Sequence, residues 1–243
     1  MSHRSSKIGT FLLAISIAAV LIILTMMFGA QMGLWEPIVG FGYIRHYMNP
    51  IAYGVVGISA VGFIYQVVTG NRVGLVKALL AFSIGMALLA PTIYSKINPT
   101  PRGPAINDIT TDTENPPQFV ALNSLRDEAK TSLAYGGSKV AAIQKKLYPN
   151  IAPLQTNLTA EAAYNRALDI AKEKGWEIVS QDADALRFEA IARTSVYAFK
   201  DDVVVVITAL EEGSQLDMRS VSRIGRSDRG VNAARIMDFM QHF

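Results

Sequence analysis

The stretch Arg219-Ser-Val-Ser-Arg223-Ile-Gly225-Arg-Ser227-Asp228-Arg-Gly230-Val-Asn232-Ala-Ala-Arg235 decides how this chain folds. It opens with strand-like alternation, passes through a Gly-rich polar turn, and ends on the first residues of a closing helix. Working outward, residues 215–223 set Leu216 and Met218 against Asp217, Arg219, Val221 and Arg223. Residues 203–210 alternate Val203, Val205, Ile207 and Ala209 against Val204, Val206 and Thr208. Residues 185–193 place Leu186, Phe188, Ala190 and Ala192 opposite Arg187, Glu189, Ile191 and Arg193, and residues 176–181 supply one more strand. Asp182-Ala-Asp184 and Glu211-Glu-Gly-Ser214 are the turns. This alternation predicts a four-stranded antiparallel sheet with one covered face and one solvated face.

A helix stands on each side of these strands. Thr159 is placed to cap a helix that runs to Lys174, with Glu161 in its first turn, Lys172 and Lys174 in its last, and Gly175 closing it. Ser227 or Asp228 caps the final helix, whose apolar stripe is Ile236, Phe239, Met240 and Phe243. The order helix, four strands, helix gives a two-layer α+β domain over residues 154–243, both helices on one sheet face.

The N-terminal residues are different in kind. Residues 8–33 carry no charge and include Phe11-Leu-Leu-Ala-Ile-Ser-Ile-Ala-Ala-Val-Leu-Ile-Ile-Leu. A bilayer-spanning helix needs roughly 20 apolar residues, and this run exceeds the apolar part of a cleavable signal peptide. Residues 51–70 and 73–94 supply two more runs, so three transmembrane helices are expected at about 8–30, 51–69 and 74–94 within an anchor of residues 1–97. Gly54, Gly57 and Gly62 offer small surfaces for helix contact, and Pro91 is expected to kink or end the third span. Arg4, Lys7, Arg72 and Lys77 fall on one side and Arg45 alone on the other. The Lys/Arg rule then puts the N-terminus in the cytoplasm and the domain outside. For a bacterium this means the inner membrane, with a periplasmic domain. No ionisable residue lies mid-span, which argues against an ion or proton pathway.

Residues 98–118, rich in Pro, Thr, Asn and Asp, read as an extended linker. Residues 119–153 read as a connecting segment with one or two short helices around Gly136-Gly137. The chain has a formal charge of +3 and a positive mean hydropathy. The basic excess lies beside the apolar runs, so it marks membrane flanks and not a nucleic-acid surface. There is no cysteine, which removes disulfides, thiolate chemistry and Cys-based metal sites.

The candidate site is the polar set Asp201, Asp202, Arg219, Ser220, Arg223, Gly225, Ser227, Asp228, Gly230, Asn232 and Arg235. Two readings stand. In one, the set is structural: ion pairs on a solvated sheet face, with Asn232 and Arg235 reaching back from the last helix as a latch. In the other, the Arg fork and the last helix's N-terminus meet to hold an anionic group. Asp201-Asp202 reads as a polar turn, and no metal is expected there. Ser227 and Asp228 have no histidine to work with, since His242 next to the C-terminus is the one in this domain and no Gly-x-Ser-x-Gly elbow occurs. Neither a cofactor nor an enzyme activity is expected.

Asp201-Asp202-Val203, Arg219-Ser-Val-Ser-Arg223 and Gly225-Arg-Ser-Asp228-Arg-Gly-Val-Asn232-Ala-Ala-Arg235 resemble the bacterial family known as domain of unknown function 1499. Ile106-Asn-Asp-Ile-Thr-Thr-Asp and Tyr148-Pro-Asn-Ile-Ala-Pro are similar to its membrane-anchored members, so the resemblance spans residues 103–243. Arg229 departs from it, standing where the family has an apolar residue. The resemblance implies an envelope protein and supplies no reaction or site residues. The expected function is binding of a protein or envelope component by a membrane-anchored domain; the alternative is an anionic lipid or small-molecule domain with an Arg-rich site.

Overall fold

The computed structural model describes residues 6–99, 105–126 and 129–243. The chain divides into two compact units, one from the N-terminal residues up to Arg102 and one built largely from Gly103 onward. In the first, Ser6 Oγ accepts from Gly9 N and caps α1, Lys7–Phe28. The second helix, α2, is Pro37–Val68, and Asn71 caps α3, Arg72–Ile97. All three are long and apolar enough to cross a membrane. The second helix begins at Pro37 and not near residue 51, because Pro fits the first helical position and Pro50 is accommodated inside the helix. Pro91 likewise lies within α3 and does not end it.

Close packing in this unit comes from Gly62, one of the three glycines the sequence suggested, and from Gly9 and Gly74. Gly54 and Gly57 have no neighbour within contact of a Cβ position, whereas Gly62 is packed against Leu12. A Cβ on Gly9 would lie 2.9 Å from Gly74 Cα, so α1 and α3 meet backbone to backbone there. Gln66 Nε2 closes the spot by donating to Ser6 Oγ at 2.9 Å.

The second unit holds β1 (Asp108–Thr110), α4 (Gly137–Leu147), β2 (Leu154–Thr156), α5 (Ala160–Glu173), β3 (Glu177–Asp182), β4 (Arg187–Arg193), β5 (Lys200–Ala209), β6 (Ser214–Ser222) and α6 (Val231–His242). The sheet has six strands, not four, in the order β1-β6-β5-β4-β3, with β2 also paired to β6. Every pairing is antiparallel. The two additional strands are three residues each and lie among Pro, Asn and Thr, too short to show a period of two. They share the outer side of β6, β1 against Arg219–Val221 and β2 against Ser214–Leu216. Gln144 of α4 then covers β1: its Oε1 accepts from Thr110 N at 3.0 Å and its Nε2 donates to Thr110 O at 2.6 Å. A side-chain amide thus stands in for the next strand and blunts the sheet edge.

The helices pack on one face, where Phe188, Ala190, Val203, Val205, Leu216 and Met218 meet Tyr164, Leu168, Ile236 and Phe239. The opposite face is not solvated, as the alternation suggested. Phe119, Leu122 and Leu133 cover Ile191, Val204 and Val221. Polar residues on that face therefore signal buried bonding and not water, because the covering chain is irregular and its backbone groups need partners. Gly213 makes the β5–β6 turn at φ +81°, and β2 passes so close that a Cβ would strike Thr156 O.

Candidate functional site

Strand alternation separates the two adjacent aspartates. Asp201 faces the helices and Asp202 faces the irregular layer, and both are buried inside β5, not in a turn. On the helix side Asp201 Oδ2 accepts from Arg235 at 2.6 Å. Arg235 also donates to Ser220 Oγ at 3.0 Å and Asn232 Oδ1 at 2.6 Å. Asn232 is fully buried; its Nδ2 donates to Asn107 O at 3.0 Å and Ser222 Oγ at 2.9 Å, while its Oδ1 accepts from Ser220 Oγ at 2.6 Å. One helix turn separates Asn232 from Arg235, which is why both reach the same pair of strands.

The turn before α6 prepares this contact. Arg229 and Gly230 are both left-handed, at φ +54° and +87°. That folds the chain so that the Asp228 carboxylate accepts from Gly230 N at 3.0 Å and Asn232 N at 2.7 Å. Asp228 therefore satisfies the open amides of the helix start, while Ser227 Oγ accepts from Arg229 N at 3.3 Å. His242 stands at the far end of α6 from both residues, with its ring bonded to Asp238 O.

On the other face the charged residues hold down the irregular segment. Arg219 is fully buried. It pairs bidentately with Asp108 at 2.9 and 2.8 Å, and donates to Pro117 O at 3.1 Å and Leu133 O at 2.8 Å. Its guanidinium lies 5.2 Å from the Phe119 ring and 5.3 Å from the Tyr135 ring. Asp202 takes two arginines, Arg223 Nε at 2.9 Å and Arg126 Nε at 2.6 Å. Arg223 Nη2 approaches Asp202 Oδ1 to 2.7 Å but out of line, and makes no hydrogen bond. Arg126 continues to Thr131, whose hydroxyl donates to Ser222 O. Glu189 accepts from Val120 N at 2.6 Å and Leu122 N at 2.8 Å.

Burial pushes the Asp108 carboxyl above its ordinary range, against the hydrogen bonds and charge of Arg219. Asp201 is raised in the same way: burial leads, Arg235 and Ser222 oppose it, and Asp228 adds to it. A carboxyl raised on folding binds more protons in the folded state than in the unfolded state over the window between its two pKa values. These two groups therefore contribute stability below the unfolded value near 3.8 that is lost as pH rises through the folded value. Asp108→Asn is expected to make the slope of stability against pH more positive as pH rises above about 4, the unfolded value. Urea midpoints followed by Trp176 fluorescence in a Trp35→Phe background test this; an unchanged slope contradicts it.

The predicted site residues do not form one site. Asp201, Ser220, Asn232 and Arg235 meet on the helix face, with Asp228 at its edge. Arg219, Arg223 and Asp202 lie on the opposite face, so the arginine fork does not meet the N-terminus of α6. Gly225 and Gly230 shape the turn between. Sequence reasoning missed Asn107, Asp108 and Arg126 as partners, whereas Glu189 was expected to pair on its sheet face and pairs with Arg187. The Ile106-Asn-Asp run gave no usable signal for the first two, since Asn and Asp in a Pro-rich segment are common outward polar residues until a strand pairs them. Among the described residues no group of three or more His, Cys, Asp or Glu side chains converges as a metal site.

An open cleft with both polar and apolar lining lies beside these clusters. It has a volume of about 530 Å³ and runs between β1, the start of α4 and the β6–α6 turn. Asn107, Asp108, Lys130, Thr131, Ser132 and Arg226 supply its polar wall.

The family model described as Protein of unknown function (DUF1499) matches residues 108–243. That is more than half of the chain, and the chain belongs to this family. No curated protein matches it.

Proposed function

We propose that this member of the DUF1499 family is a membrane-anchored, non-catalytic binding protein of the bacterial envelope. In this reading three helices hold it in the inner membrane, the N-terminus lies in the cytoplasm, and the α+β unit works on the periplasmic side. The polar motif is the domain's internal scaffold, and the cleft beside it receives an envelope component. The observation that carries the reading is the bonding of the motif: Asp201, Asp202, Arg219, Arg223, Asn232 and Arg235 are buried or half-buried and satisfied chiefly by one another and by backbone. Side chains held this way rigidify a fold and are poorly placed to react. The three apolar helices and the bias of Lys and Arg toward one side support the anchor and its orientation.

The absence of cysteine makes topology directly testable. A Glu212→Cys variant is expected to react with a membrane-impermeant maleimide in intact spheroplasts, and Thr69→Cys only after permeabilisation. Both residues are exposed, so access and not burial decides the result. The reverse pattern, or equal labelling, removes the periplasmic assignment.

A further inference from the structure

We propose that the cleft between β1, α4 and the β6–α6 turn is a binding site for a phosphate-bearing group, with Lys130 and Arg226 as its principal contacts. This deepens the reading of the domain as a binding module and rests on it. The first observation is a contrast among the cations. Arg126, Arg187, Arg219, Arg223 and Arg235 each pair with a carboxylate. Lys130 and Arg226 line the cleft, are exposed, and have no ion pair among the described residues. The second is the state of the acid in the wall. Asp108 is held bidentately by Arg219, so it offers no free charge to cancel the two cations or to attract a metal. Behind Thr131 the cluster of Arg126 and Arg223 on one Asp202 adds a further unit of positive charge. A concave surface of one sign focuses its field into the opening and raises the local concentration of the opposite ion.

Three groups of the wall have protons to give, whereas the Thr131 hydroxyl donates to Ser222 O and the Asn107 amide donates to Gly225 O. Lys130 brings an ammonium, Arg226 a planar fork suited to two oxygens, and Ser132 a hydroxyl whose oxygen already accepts from Ala134 N and whose proton is left to give. Gly136, before α4, also lines the cleft, and no side chain caps that helix. A tetrahedral oxyanion with several acceptor oxygens matches this set better than a single carboxylate does. Asn107 on the wall follows the end of α3 at Ile97 by ten residues in sequence. Tethering of that kind raises the effective concentration of bilayer headgroups at the domain. The same chemistry is carried by a phospholipid headgroup or by free phosphate.

The test uses the full chain in a phosphate-free detergent. One arm titrates inorganic phosphate by calorimetry. The other follows retention of phosphatidylglycerol against a phosphate-free galactolipid by native mass spectrometry. Lys130→Ala/Arg226→Ala is expected to weaken phosphate uptake about tenfold or more, as loss of charge-assisted contacts does, with the Trp176 unfolding midpoint unchanged. Lys146→Ala/Lys172→Ala, which removes the same charge from exposed helix positions, is expected to change nothing. Uptake of inorganic phosphate alone identifies a free phosphate; selective retention of phosphatidylglycerol identifies a headgroup. Both support the site when the double variant abolishes them. No uptake of either probe, or equal uptake by the wild type and the Lys130/Arg226 variant, overturns it. The topology assay is independent of this outcome, so failure here leaves the anchored reading standing, and reversed topology leaves the titration valid.

Discussion

Arg219→Met is expected to destabilise the α+β unit by about 3–5 kcal/mol, the range for breaking one side of a buried ion pair. Three losses coincide. The Asp108 carboxylate, already pushed upward by burial, is left without its bidentate partner. The carbonyls of Pro117 and Leu133 lose a donor. Phe119 and Tyr135 lose the cation between them. Lysine is not expected to rescue, because one ammonium cannot fork to a carboxylate and lie flat between two rings at once. The double change Arg219→Met/Asp108→Leu is expected to recover much of the loss, since apolar replacement of a buried pair is often neutral. Urea unfolding followed by Trp176, which stacks on Phe239 at 5.3 Å, reads the result. A loss below about 1 kcal/mol for the single variant would mean that the residue has no structural task. The assignment of the motif as scaffold would then fall.

The same residue shows what the sequence could and could not reveal. Alternation in residues 215–223 correctly puts Arg219 on the face away from the helices. It cannot reveal that an irregular segment lies over that face, because residues 111–135 carry no period to read. A row of Arg, Asp and Glu on a strand therefore reads as solvated when it is in fact the means of binding a layer without regular structure. Glu189 is a clear instance: it is 1% exposed because its carboxylate takes two backbone amides of the covering turn. Strands with a long alternating pattern were legible, and so were the paired helices and the Thr159 cap of α5; the cap of α6 was not, since that helix starts after Gly230 and not directly after Ser227 or Asp228. The three-residue strands β1 and β2 were not, since their existence depends on β6 and not on their own composition.

The candidate site was legible as a set of residues and not as an arrangement. Asn232 and Arg235 were identified as reaching back from the last helix, and their bonds run to Ser220, Ser222 and Asp201. The division of the set between two faces was not, although strand parity alone places Asp201 and Asp202 on opposite sides. Lys130 and Arg226 gave no signal in the sequence, because isolated cations in polar loops are ordinary. Only the cleft distinguishes them from other exposed lysines and arginines.

Asp202→Asn is expected to be as costly as the change at Arg219, again about 3–5 kcal/mol, although it alters one atom. Asp202 is fully buried, and it is the shared counter-charge of Arg126 and Arg223, themselves nearly buried. The amide keeps the volume but leaves two guanidinium groups in a low-dielectric layer with no anion between them. It also turns a donor toward groups that can only donate. Because Arg126 continues to Thr131, and Thr131 to the β6 backbone, the damage is expected to spread to the segment that forms the cleft wall. Hydrogen exchange should report it as lost protection around residues 129–135 before the sheet opens. Removing one cation as well, in Asp202→Asn/Arg223→Met, is expected to be milder than Asp202→Asn alone, giving a coupling of opposite sign to simple additivity. If the double variant is the less stable of the two, Asp202 is not the counter-charge that holds this layer. The wall of the cleft must then draw its order from elsewhere.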